Sequence, residues 1–241
     1  MQASGRSVAM AVVVVSVLAA TTTAHMMGLG SCKNFEGMQN FDPARFNGTW
    51  YVMNKVGTRS DCLVVTYNLM EDDQSFEVKE VRRPPYSDVI PLDFAITNTG
   101  SLTPKGDSGK FTVRWNNGII PFTGTYAIPN TDYENFAIDI ECQEFFGFLR
   151  RVSATILSRN PEMASAKVEE LLDELASQFE IPRNRMNAVD QSNCVEMEAN
   201  DFNFVVDENG IRSALKELKK IEYLSKLSPE QAAEIVETFE N

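Results

Sequence analysis

The chain has 241 residues, 43% hydrophobic and 23% charged, an ordinary balance for one large or two small globular domains that excludes wholesale disorder. Its formal net charge is −12, and cations cluster no further than short pairs such as Arg82-Arg83 and Arg150-Arg151. That charge argues against nucleic-acid binding and against a polybasic membrane-surface site.

The first 24 residues read as a leader rather than as fold. Arg6 precedes an apolar run from Val8 to Ala20, and the small residues Thr22 and Ala24 precede a cleavage position before His25. This is the pattern of a signal peptide over 1–24, and its apolar run is too short for a membrane span. No later stretch is long and apolar enough to cross a bilayer. A secreted, extracellular protein is predicted. Four cysteines remain: Cys32, Cys62, Cys142 and Cys194. An even count in an oxidising compartment predicts two disulfides, with three pairings open. The wide spacing, with no C-x-x-C, argues against a zinc or other metal cluster.

From Thr49 to Arg159 the chain reads as strands and turns. The strands are predicted at 50–56, 63–69, 75–81, 89–97, 110–115, 120–128, 133–142 and 147–158. Several alternate apolar and polar residues, the period of a half-buried strand. Asn117-Gly118 is a strong hairpin signal, and Pro129-Asn130 reads as a turn. Eight consecutive strands predict a mainly β fold, an up-and-down antiparallel barrel able to hold one small ligand. A two-sheet sandwich is the rival architecture. A helix is predicted next, with Asn160 as cap and Pro161 at its first position. Its stripe Val168, Leu171, Leu172, Leu175 and Phe179 must bury against the outside of the barrel, and Pro182 stops it. The barrel domain is assigned to 25–199. Residues 200–241 form an acidic extension with helices predicted over 211–224 and 229–239; it carries 9 acidic and 5 basic residues.

Three motifs stand at strand junctions. Asn40-Phe41-Asp42 is followed by Phe46-Asn47-Gly48-Thr49-Trp50-Tyr51. Asn130 to Ala137 (Asn-Thr-Asp-Tyr-Glu-Asn-Phe-Ala) enters the seventh strand. Ile156-Leu157-Ser158-Arg159-Asn160-Pro161 joins the last strand to the helix. In this order and at these places they resemble the lipocalin family, and within it the apolipoprotein D-like and insect bilin-binding branch. Asp190-Gln191-Ser192-Asn193-Cys194 is similar to that branch too. The resemblance covers roughly Cys32 to Cys194. It implies that Gly48 and Trp50 enter the first strand at a closed barrel end, with Arg159 across the indole, and that Thr131, Asp132 and Tyr133 form a structural turn. It also implies the pairings Cys32–Cys142 and Cys62–Cys194.

The function so implied is binding and transport of a small hydrophobic ligand: a bilin, retinoid, carotenoid, fatty acid, sterol or pheromone. No cofactor is required. Ile90, Leu92, Phe94, Phe111, Val113, Phe122 and Tyr126 lie on apolar strand faces and are candidates to line a dry cavity. Enzymatic chemistry is disfavoured. The single histidine, His25, lies at the predicted mature N-terminus, which leaves no Ser-His-Asp or Cys-His set and no histidine haem ligand inside the barrel. Strand carboxylates are expected to point outward. The alternative is an extracellular interaction or regulatory protein acting through its barrel surface or C-terminal helices, with a receptor or a second copy as partner. Asn47 heads the only N-x-S/T sequon, immediately before Trp50, where burial would block glycosylation.

Overall fold

The computed structural model describes residues 25–83, 94–116, 122–192, 194 and 202–206. A short strand, β1 (Met26–Leu29), and one helical turn, α1 (Pro43–Phe46), precede eight strands. These are β2 (Gly48–Val56), β3 (Asp61–Leu69), β4 (Phe76–Arg83), β5 (Phe94–Pro104), β6 (Lys110–Trp115), β7 (Phe122–Thr131), β8 (Phe136–Phe145) and β9 (Leu149–Ser158). Helix α2 (Ser165–Gln178) and strands β10 (Met186–Ala188) and β11 (Phe202–Val206) follow. Each of the eight pairs antiparallel with the next, and β9 returns to β2 from Tyr51↔Ser158 to Lys55↔Thr155. The sheet therefore closes as a barrel and is not a sandwich. Closure removes the edges that would otherwise template aggregation.

The register gives the barrel two ends. The start of β2, the end of β9 and the β7–β8 turn lie at one. The segment around Met38 crosses there, its N–H donating to Ile128 O at 2.8 Å while its carbonyl accepts from Gly109. Phe41 and Met38 pack onto the aromatic core from that side. The opposite end, the mouth, carries the β8–β9 hairpin and the start of β5. There β1 pairs with β9 from Met26↔Val152 to Leu29↔Leu149, and β10 pairs with the end of β2. Disulfides Cys32–Cys142 and Cys62–Cys194 fasten both flanking segments to the wall.

Helix α2 covers the outside. Leu171, Leu172 and Leu175 are buried against Ile138, Ile140, Ala154 and Ile156 of β8 and β9. Burying a leucine in this way contributes about 1.5–3 kcal/mol. The apolar stripe thus packs where the pattern requires. Its start differs from expectation: α2 opens at Ser165, and Ala164 rather than Asn160 stands at the cap position. Met163 is drawn into the outer apolar cluster, which keeps the chain from Asn160 to Ala164 out of the helix.

Three further differences have local causes. Pro129 and Asn130 lie inside β7, at a bulge between Ala127 and Asn130, instead of forming a turn. A bulge is one of the few places where a strand tolerates proline. The fifth strand runs further than its apolar alternation suggests. Residues 98–104, largely without apolar alternation, are held by ladders to β4 as far as Phe76↔Leu102 and to β6 from Gly100↔Trp115 to Pro104↔Phe111. The segment assigned to a helical extension begins as a strand: β11 pairs parallel with β5, Phe202↔Phe94 to Val206↔Asn98. Ile96, Thr97 and Asn98 already face β4, so β11 takes the β6-side edge beyond Trp115. The predicted leader 1–24, the Asn117-Gly118 hairpin and the helices over 211–224 and 229–239 lie outside the described residues.

Candidate ligand site

The closed end is built around Trp50, fully buried at the start of β2. Its indole Nε1 donates to Phe46 O at 3.0 Å and its ring stacks on Phe46, centroids 5.1 Å apart. The Arg159 guanidinium lies 3.8 Å over the indole. The same side chain donates to Tyr133 O, Thr49 O, Arg45 O, Phe46 O and Asn47 O at 2.9–3.2 Å. One cation thereby satisfies carbonyls of both the α1–β2 junction and the β7–β8 turn. Gly48 allows this approach: it sits at φ +104, and an added Cβ would lie 3.4 Å from Arg159 Nη1.

The β7–β8 turn is fixed by side chains. Asp132 Oδ1 accepts from the N–H groups of Glu134, Asn135 and Phe136 at 2.7–3.1 Å. Thr131 Oγ1 donates to Phe136 O and accepts from Tyr133 N. Tyr133 adopts φ +68, a strained value for a large residue, and its hydroxyl accepts from Asp42 N at 3.0 Å. Above this floor Phe41, Phe46, Tyr67, Phe76 and Phe111 form a chain of tilted and edge-on rings 4.9–6.1 Å apart. The lower barrel is a packed aromatic core.

Toward the mouth the interior changes character. Glu80 pairs with Lys55 and with Arg82, Nη1 to Oε1 at 3.0 Å, and accepts from Asn98. Glu141 accepts from Trp115 Nε1 at 3.1 Å and from Gln143 Nε2 at 2.6 Å, with Arg151 4.0 Å away. Tyr67 and Tyr126 share a hydroxyl contact of 2.7 Å beside Asp139. Glu80, Asp139 and Glu141 are all buried. This corrects the expectation that strand carboxylates point outward. On β8 the apolar face of Ile138, Ile140 and Cys142 is claimed by α2 and its neighbours, so Asp139, Glu141 and Gln143 must face the barrel interior.

The environment sets their protonation. Burial alone would raise the Glu80 carboxyl, but Lys55 and Arg82 outweigh it and hold it at about 2. Burial raises Asp139 to about 6 despite Lys55 and its hydrogen bonds to Tyr126 and Thr155. Burial also raises Glu141, against the pull of Arg151. His25, which the sequence places only at the predicted mature N-terminus, is drawn into the same layer. Burial, then Arg151 and Lys55, push its imidazole down to about 2. Pairing of β1 with β9 is what carries it there.

Of the candidate lining residues, Phe111 is buried between Phe41 and Phe76, and Val113 is buried in the same core. Tyr126 joins that core with its hydroxyl directed to Tyr67. Phe94 and Phe122 stand in β5 and β7, but their side chains lie outside the described residues, as do Ile90 and Leu92 entirely. Asn47 and Thr49 are exposed, so the sequon is not buried; Asn47 Oδ1 accepts from Leu69 N at 2.8 Å. Among the described residues no group of His, Cys, Asp and Glu is arranged to hold a metal.

A closed eight-stranded barrel with an arginine-capped tryptophan floor, an outer helix and an opposite mouth has the architecture of a lipocalin barrel. No family model matches the chain. Apolipoprotein D of Macaca fascicularis is 29% identical over 171 residues, covering 70% of this chain and 86% of the relative. Retinol-binding protein 4 of Gallus gallus is 27% identical over 120 residues, 46% and 59% of the two chains. Insecticyanin of the tobacco hornworm Manduca sexta shares the fold with a TM-score of 0.57 at 17% identity, over 77% of this chain and 98% of its own. The chain is thus similar in sequence to apolipoprotein D over most of its length and shares the lipocalin fold with insecticyanin.

Proposed function

We propose that this lipocalin is secreted after loss of residues 1–24 and binds and carries a small hydrophobic ligand in its barrel, without catalysing a reaction. The relatives support the carrier reading, and one carries retinol-binding in its name. The observation that carries it is the asymmetry of the interior: a sealed floor at Trp50, and at the far end a rim with exposed Met27, Leu29, Phe146 and Phe148. Exposed apolar groups clustered at one end of a barrel mark a place where an apolar partner enters. Among the described residues no helix is long and apolar enough to cross a membrane. The finer proposals follow from this reading. Retinoids, bilins, carotenoids and fatty acids are the ligand candidates. Phe111, Val113 and Tyr126 form the base of the ligand space. Exposed Asn47 is open to glycosylation. An absorption spectrum of protein purified from its source tests the reading. A red band identifies a bilin, a blue band a carotenoid and a near-ultraviolet band a retinoid. A colourless protein with no extractable lipid by mass spectrometry would overturn it.

A further inference from the structure

The polar layer under the mouth is too costly to be incidental. Arg82 and three carboxylates are buried inside the barrel, with Lys55 and Arg151 half-buried beside them, and buried ion pairs seldom stabilise more than apolar packing would. Most members are partnered, but two interior side chains are not fully so. Arg82 is 5% exposed and spends Nη1 on Glu80, yet its Nε–H has no partner. Ser153 is 3% exposed and its hydroxyl has none. Ser153 faces inward, because its neighbours Val152 and Ala154 pack outward under α2. Both atoms are able to donate, and a buried donor left unmade costs about 1–3 kcal/mol. His25 Nδ1, buried in the same layer, is also without a partner. The charges that face His25 are Arg151 of β9, Lys55 of β2, and Glu80 and Arg82 of β4. The cations dominate there: all three disfavour a second proton on the imidazole and only Glu80 favours it.

Orphaned buried donors, one of them a guanidinium N–H, suit one chemistry, an anionic oxygen acceptor. We infer that the layer formed by Arg82, Ser153 and Lys55 receives the carboxylate of an amphipathic acid, head inward, with the apolar remainder toward the exposed rim. The inference rests on the carrier reading and narrows its ligand to acids. The aromatic core below leaves the reverse pose no room, because Trp50, Phe46, Tyr67, Phe76 and Phe111 fill it.

The test compares one skeleton with two head groups. The whole secreted chain is titrated with all-trans-retinoic acid and with all-trans-retinol, following quenching of tryptophan fluorescence. The acid is expected to bind at least about tenfold more tightly, the value of one charge-assisted hydrogen bond. Arg82→Met and Ser153→Ala each narrow the gap in affinity between acid and alcohol. Should Arg82→Met fail to fold, Arg82→Met/Glu80→Gln removes the pair together. A reading on the unaltered protein comes from palmitate labelled with carbon-13 at its carboxyl, whose bound resonance stays ionised to a lower pH than that of free palmitate. Equal affinity for acid and alcohol, or an acid preference untouched by these substitutions, overturns the assignment; the orphaned donors then serve water only and the carrier reading stands. Binding of neither retinoid nor palmitate overturns both.

Discussion

The two halves of the barrel interior solve opposite problems. The closed half is apolar and aromatic, and its few polar atoms are matched within it: Trp50 Nε1 to Phe46 O, Arg159 to five carbonyls. The mouth half buries Glu80, Arg82, Asp139 and Glu141, joins them to half-buried Lys55 and Arg151, and leaves the Arg82 Nε–H and the Ser153 hydroxyl over. A region that only has to fold closes its hydrogen-bond account. A region that has to recognise something keeps part of its capacity open. On the proposed carrier function, the floor concentrates stability and the mouth concentrates selectivity.

The largest effect that would break this division is at the floor. Arg159→Ala removes the cation over Trp50 and the bonds it makes to five carbonyls at the junction of two turns. It is expected to cost about 4 kcal/mol, combining lost charge-assisted bonds with unsatisfied acceptors. For a domain of this size that is a fall in Tm of about 8–16 °C. Arg159→Lys recovers less than half, because one ammonium cannot span carbonyls that a planar fork reaches together. Urea unfolding measures both; a loss below 1 kcal/mol would show that the floor is not what holds the barrel closed.

The same contrast explains what was readable in the sequence. The floor was legible because its parts are local and distinctive: glycine before tryptophan, Thr131 to Tyr133, and arginine at the end of the last strand. Strand number, order and the helix stripe were legible from periodicity. The polar layer was hidden by a false default. Alternation in Ile138-Asp139-Ile140-Glu141-Cys142-Gln143 marks two faces without saying which is inside. The signal that could have decided it lay in α2: a helix needing an apolar bed claims Ile138 and Ile140, which turns Asp139 and Glu141 inward. His25 was misplaced because β1 is a four-residue strand with no pattern of its own; only pairing with β9 puts it in the layer. Strand β11 was unreadable for a like reason, since Phe-Asn-Phe-Val-Val gains its role from the free edge of β5.

A middle-sized effect separates two carboxylates within the mouth half. Glu80, held at about 2 against an ordinary 4.5, contributes stability that is present above pH 4.5 and lost as pH falls toward 2. Asp139, raised to about 6 against 3.8, has the opposite sign: the folded state favours its protonated form, so stability is greatest below about pH 4 and is lost as pH rises through 6. Glu80→Gln should therefore destabilise at pH 7 by about 3 kcal/mol, leaving Lys55 and Arg82 buried without their anion. Asp139→Asn should stabilise at pH 7 by about 1–2 kcal/mol and flatten the slope of stability between pH 4 and 6. Denaturant midpoints from pH 3 to 8 check both. Two substitutions acting in the same direction at pH 7 would mean that the layer is one undifferentiated cost.

The smallest effect on stability is at the rim, and there the comparison becomes sharpest. Phe146 and Phe148 are 88% and 56% exposed at the tip of the β8–β9 hairpin, with ring centroids 6.3 Å apart. Replacing both with serine removes no core contact and should shift unfolding by no more than about 0.5 kcal/mol. If the apolar part of a ligand lies toward this rim, the same change removes surface that it would cover, and affinity for retinoic acid should fall about tenfold at roughly 25 cal/mol per Å². Arg159→Lys should do the reverse, lowering Tm while leaving affinity measured well below Tm nearly intact. Parallel titrations and melts of the two variants decide the matter: a rim variant that lowers Tm as far as the floor variant, or a floor variant that loses affinity as far as the rim variant, would dissolve the division between a half that holds the barrel and a half that reads the ligand.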